Sequence, residues 1–183
     1  HVLIVSDEIH SDLVFHGKKH IPTATLSPEI AANVISCISG TKTFNMAGLQ
    51  ASAVIFPNME LKAKYDRFWM NLDIHRNNAV SSVAMETAFN EGEEWLEQVR
   101  QYIDSNIKYI EEFVAAQLPE AKVIDCQGTY LVWIDVRNYC SDPKILEHAM
   151  VHEAKVALDE GYIFGDEGIG YERINVATQR SNI

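Results

Sequence analysis

The first apolar run, Val2 to Val5, is short and unbroken by polar positions, the pattern of a strand covered on both faces. A polar stretch follows, then Ser27-Pro28-Glu29, where Ser as N-cap and Pro in the first turn predict a helix start. Two more strand-length runs, Val34–Ile38 and Ala53–Phe56, each lead into segments of helical character, the second into Met59–Asn71. Strands separated by helical connections predict a mostly parallel α/β layer. Near residue 93 the rhythm changes. Trp95, Leu96, Val99, Tyr102, Ile103, Ile107, Ile110, Val114 and Leu118 recur at helical spacing and predict one long helix, stopped by Pro119. Lys122–Cys126 and Tyr130–Val136 flank Gln127-Gly128-Thr129 as an antiparallel pair. Pro143–Lys155 reads as a helix capped by Asp142, and Arg173–Ala177 as a final strand. The pattern therefore divides the chain into an α/β portion over 1–92 and a smaller α+β domain over 93–183.

Composition narrows the function classes. The 183 residues are 47% hydrophobic and 22% charged, ordinary for a globular chain with a real core. No apolar run approaches the length of about 18 residues that a membrane span needs. The net charge of −11, with no basic cluster, argues against nucleic acid or an anionic membrane as partner. Cys37, Cys126 and Cys140 have no paired spacing, which fits a reduced, cytoplasmic protein better than a disulfide scaffold. The chain opens directly on an apolar strand without an initiator Met, and stops where Ser181 or Asn182 would cap a further helix. It reads as an internal fragment of a longer protein.

The candidate chemistry lies in three strings: Ser6-Asp7-Glu8-Ile9-His10, Ser39-Gly40-Thr41-Lys42-Thr43-Phe44-Asn45, and Tyr171-Glu172-Arg173-Ile174-Asn175. In α/β sheets, ligands sit beyond the carboxyl ends of the strands. Asp7 follows the first strand, and Ser39 to Lys42 follow the second. An amine beside small hydroxylated residues suits a phosphorylated carbonyl cofactor. A carboxylate on the adjacent strand can accept from a pyridine N–H and keep that nitrogen protonated, and an Arg can grip a substrate carboxylate with two parallel hydrogen bonds. Each residue alone has a plainer reading: solvated Lys, strand-capping Asp, surface Arg. Their combination, in order and at strand ends, carries the argument.

The string from Ser39 through Lys42-Thr43-Phe44-Asn45-Met46-Ala47-Gly48-Leu49 resembles the lysine segment of fold-type-I pyridoxal-phosphate enzymes. The string Val5 through Leu13 resembles the pyridine-nitrogen aspartate segment of their cystathionine β-lyase-like branch, grouped with class I/II aminotransferases. Gly92 through Leu96, Gly128 through Trp133 and Arg173 through Ala177 resemble that branch too. The resemblance spans nearly the whole chain. It implies the aspartate-aminotransferase fold, with 1–92 the C-terminal portion of the large cofactor domain and 93–183 a small domain lacking its last helix.

The same resemblance implies roles. Lys42 would hold pyridoxal 5'-phosphate as a Schiff base and shuttle the substrate Cα proton. Asp7 would pair with the pyridine nitrogen, Ser39 and Thr41 would contact the phosphate, and Arg173 would bind the substrate α-carboxylate. Two departures stand out. His10 replaces a Tyr that many aminotransferases of the group direct at the cofactor phenolate, and Gln50 replaces a phosphate-binding Arg. The expected activity is carbon–sulfur β-elimination from cystathionine or a related S-substituted cysteine, in a homodimer. The alternatives are class I/II transamination and a non-catalytic aminotransferase-like regulatory domain.

Other features draw plainer readings. His148 and His152 lack the Glu of a zinc-protease helix and any evident third ligand, so no metal is expected. His16 to His20 reads as a solvated turn. Trp69, Trp95 and Trp133 read as core, and the acidic, glycine-rich stretch Gly165–Gly170 as a flexible loop.

Overall fold

The structure, a computed structural model, describes residues 2–74 and 78–183. It contains two compact units, His1–Gln98 and Val99–Ile183. In the first unit, strand β1 (Ile4–Asp7) pairs parallel with β2 (Val34–Ile38), in register Ile4 with Val34 and Asp7 with Cys37. The Glu8 amide donates to the Cys37 carbonyl (2.8 Å), extending this ladder one residue past Asp7. The connection holds the short helix α1 (Pro28–Ala31), whose first turn Ser27 caps by accepting from the Ile30 amide (3.1 Å).

The third strand departs from the parallel expectation. β3 (Ala53–Ile55) runs antiparallel to β2. Between them lie only helix α2 (Gly40–Thr43) and a short 3-10 turn, Ala47–Leu49. A parallel return needs a longer crossover packed on the sheet, which these short turns do not supply. Two helices follow. α3 (Met59–Asn71) is capped by Asn58 and coincides with the predicted segment. α4 (Ala79–Glu91) is capped by Asn78 and was not anticipated.

Helix α5 (Glu93–Gln117) ends two residues before Pro119 and carries the periodic apolar residues from Trp95 to Val114. In the second unit, strands β4 (Lys122–Val123), β5 (Leu131–Asp135), β6 (Asp159–Glu160) and β7 (Tyr171–Asn175) form an antiparallel sheet of order β4-β5-β7-β6. Ile103, Ile107, Ile110 and Val114 of α5 are buried, as are Val132, Ile134 and Val176. Asn106 of α5 is fully buried and satisfied: its amide donates to the Val176 and Thr178 carbonyls (2.9 and 3.0 Å) and its oxygen accepts from Arg180 Nε (2.7 Å).

The predicted helix from Pro143 begins as expected. Asp142 accepts from the Lys144 and Ile145 amides to open α6 (Pro143–His148). The chain then widens into a π-type turn over Ala149–Ala154.

Candidate active site

The parallel pairing of β1 with β2 sets two strand ends side by side. Asp7 closes β1, and Ser39 follows β2 directly. Ser39 then caps α2: its hydroxyl accepts from the Thr41 amide (3.0 Å) and donates to the Ala51 carbonyl (2.6 Å). The Thr41 hydroxyl stands 2.7 Å from the Ser39 hydroxyl, which leaves Thr41 as the donor of that pair. Ser39 is buried, Thr41 half-buried and Lys42 exposed. The buried Ser39 hydroxyl is thus held within the protein, and Thr41 is the more available of the two hydroxyls.

His10 lies on the same edge. Its imidazole is pushed below the ordinary histidine range first by burial and then by the charge of Lys42, against an opposing pull from Asp7. Asp7, His10 and Lys42 therefore share one electrostatic neighbourhood. The Cys37 thiol, whose residue pairs with Asp7, is pushed up by burial and by the Asp7 carboxylate. A lysine, an aspartate and a histidine near one strand edge, beside a hydroxylated turn, suit a phosphorylated pyridine aldehyde.

Residues outside the sequence-level candidates build this arrangement. The buried Thr43 hydroxyl donates to the Asp12 carboxylate (2.8 Å), joining the lysine turn to the segment that carries Asp7 and His10. Glu8, 7% exposed, accepts from the Ser6 hydroxyl (2.9 Å), the Thr23 amide (3.0 Å) and the Ser36 hydroxyl (3.4 Å), and meets His20 Nε2 at 2.9 Å. Burial pushes the Glu8 carboxyl up, but those bonds and the His20 charge outweigh it and hold it below the usual range. His20 is thereby tied to the protein, not free in a solvated turn. Behind the lysine turn, Phe44 packs edge-on against Phe89 (5.5 Å) and beside Trp95 (5.9 Å). The Ser81 hydroxyl of α4 donates to the Leu49 carbonyl (2.6 Å).

The second unit carries Arg173. Cross-strand register places Trp133, Arg173 and Asp159 in a row on one sheet face. Arg173 Nε and Nη2 donate to Asp159 Oδ2 at 3.0 and 2.7 Å, and the guanidinium lies 4.2 Å from the Phe164 ring centre and 6.0 Å from that of Trp133. Trp133 and Phe164 also border an open cavity of about 400 Å³ with Ile124, Glu167, Gly168 and Tyr171. None of Trp69, Trp95 and Trp133 is buried, contrary to expectation. In the unbroken run Leu131 to Ile134, apolarity does not reveal which face each residue takes, and Trp133 takes the Arg173 face.

The glycine-rich stretch is packed, not loose. A Cβ on Gly161 would fall 2.1 Å from the Gly168 carbonyl, and one on Gly168 would fall 2.0 Å from the Gly161 carbonyl. The two backbones meet only because neither has a side chain. Arg180, another cation near this strand, is engaged with Asn106, Ser105 (3.0 Å) and the Tyr109 ring. The His148 and His152 rings sit 5.0 Å apart, and among the described residues no cluster of three metal-ligating side chains occurs.

The family model for aminotransferase class I and II matches residues 1–183. The chain belongs to the class I and II aminotransferase family. Within that family it is 38% identical to cystathionine beta-lyase PatB of Bacillus subtilis over 174 residues, covering 95% of this chain and 45% of PatB. Among solved structures, a PLP-bound Clostridium difficile protein assigned as an aminotransferase superposes with a TM-score of 0.95 at 44% identity, covering 98% of this chain and 46% of that one. Cystalysin of Treponema denticola, which contains a pyridoxal 5'-phosphate cofactor, superposes with a TM-score of 0.91 at 36% identity, covering 98% and 45%. The fold is that of the aspartate aminotransferases. The chain spans a little under half the length of these family members.

Proposed function

We propose that the full-length protein is a pyridoxal-phosphate-dependent carbon–sulfur β-lyase acting on cystathionine or a related S-substituted cysteine. The observation that carries the reading is the placement of Asp7 at the end of β1 beside the Ser39–Lys42 turn that follows the parallel strand β2, in a chain similar to PatB and cystalysin. Bound pyridoxal phosphate supplies an electron-accepting ring that stabilises the charge left when the substrate Cα loses its proton. Lys42 would hold the cofactor through Nζ, and its amine would serve as the base that takes the substrate Cα proton. Asp7 would sit against the pyridine nitrogen, where a carboxylate favours its protonated form. The Thr41 hydroxyl, the more available of the two, would contact the phosphate, while Ser39 fixes the turn. His10, whose imidazole is pushed below the ordinary range by burial and by Lys42, would offer a hydrogen bond near the ring. Arg173 takes the substrate α-carboxylate.

Residues 1–92 serve as part of the cofactor domain and 93–183 as the small domain, in a cytoplasmic homodimer. A transaminase shares every step through Cα deprotonation, and the likeness to an aspartate aminotransferase of Geobacillus stearothermophilus, 30% identical, keeps that second reading in play. A purely regulatory role has less support, because Lys42 and Asp7 are both present. The test is pyruvate release from cystathionine with and without 2-oxoglutarate. Continuous release of pyruvate and ammonia without the keto acid is expected. Strict dependence on 2-oxoglutarate would establish transamination in its place.

A further inference from the structure

We propose that Asp159 is the positioning residue of the substrate-carboxylate site, fixing which edge of Arg173 faces the ligand; the inference rests on the assignment of Arg173 given above. Asp159 lies directly opposite Arg173 across the β6–β7 pair. Its Oδ2 receives both Nε and Nη2, which are the two donors of one side of the guanidinium fork. Phe164 covers the planar face at 4.2 Å. One side edge and one face are therefore occupied within the second unit. Nη1 has no hydrogen-bond partner among the described residues, and together with the second hydrogen of Nη2 it forms the end edge that presents two parallel donors to a carboxylate.

Arg carries several rotatable bonds, and holding it in one rotamer before the ligand arrives removes an ordering cost from binding. The local sequence builds the clamp. β6 is only two residues long and brings Asp159 alongside β7. The close Gly161–Gly168 backbone contact shapes the paired turns Gly161–Phe164 and Asp166–Gly168, the first of which ends at Phe164. Asp159 is a carboxylate and repels an incoming carboxylate. Its side chain is 45% exposed, however, so water screens that repulsion while its acceptor oxygen still holds the fork.

The test uses the full-length holoenzyme and two readouts: KM against kcat for an S-substituted cysteine, and the calorimetric Kd of an α-methyl amino acid, which carries the carboxylate but has no Cα proton to lose. Asp159→Ala should raise KM and Kd by about tenfold or more, the scale of losing a hydrogen bond to a charged group. Its kcat should stay within about threefold, since no reacting atom is touched. Asp159→Asn keeps an acceptor oxygen and should restore most of the affinity. Unchanged or tighter binding in Asp159→Ala overturns the proposal, as does an Asn variant as weak as the Ala one. Arg173→Ala, run in parallel, separates the two ideas. If it binds the analogue normally, the Arg173 assignment fails. If it loses binding while Asp159→Ala does not, only the role of Asp159 fails.

Discussion

Glu172 is next to Arg173 in sequence, yet it faces the opposite way. It is 3% exposed and directly opposite buried Ile134, and among the described residues neither carboxylate oxygen has a hydrogen-bond partner. Burial, reinforced by the charge of Glu160, pushes its carboxyl up to about 7. A folded-state value raised above the unfolded one means that stability is fully present below about pH 4.5 and is lost as pH rises through about 7. The parent and Glu172→Gln should therefore unfold alike near pH 4.5. Between there and pH 7 the variant should gain an advantage of about 3 kcal/mol at most, constant above that. Urea unfolding across this range checks it, and a gap that opens on acidification would contradict the sign. The Arg173 string could be read in the sequence, but the alternation inside it could not, because a charged Glu is not expected on a core face. Asp159 was missed for a related reason. A two-residue strand leaves no periodic trace, and only register brings Asp159 to Arg173.

At the level of elements, long periodic segments and capped starts were legible. α3 and α5 fall on their predicted segments, and Ser27 and Asp142 cap as read. α4 was not legible, because its apolar residues (Val80, Val83, Met85 and Phe89) are not confined to one stripe. The direction of β3 was missed because the short turns around Lys42 stand where a crossover helix was expected. The latch of Glu8 was hidden because its partners, Ser6, His20, Thr23 and Ser36, are spread over 31 positions of the chain. This latch carries its own expectation. Replacing Glu8 by Gln loses charge-assisted bonds in a buried place and should cost about 2–3 kcal/mol at pH 7. Because the Glu8 carboxyl is held low, its stabilising contribution is present above the ordinary carboxylate range and is lost as pH falls through its depressed value. Parent and variant should converge in strong acid. Equal urea midpoints at pH 7 would show that the latch adds nothing.

For the whole molecule, the resemblance read in the lysine and aspartate strings extends through the full chain, and family membership follows from the match over residues 1–183. The first unit leaves Val2, Leu3 and Val5 beside or within β1, Ile55 in β3, and Phe68 and Met70 on α3 exposed. Tests of chemistry belong to the full-length protein. The central claim is that Lys42, and no other lysine, carries the cofactor. Borohydride reduces a lysine–cofactor C=N bond to a stable C–N bond, and peptide mapping then locates the pyridoxyl group. The account predicts the label on the peptide containing Lys42, with loss of both the label and the bound cofactor's visible absorbance in Lys42→Ala. A label on Lys18, Lys19 or any other lysine, or one that persists in Lys42→Ala, would contradict it.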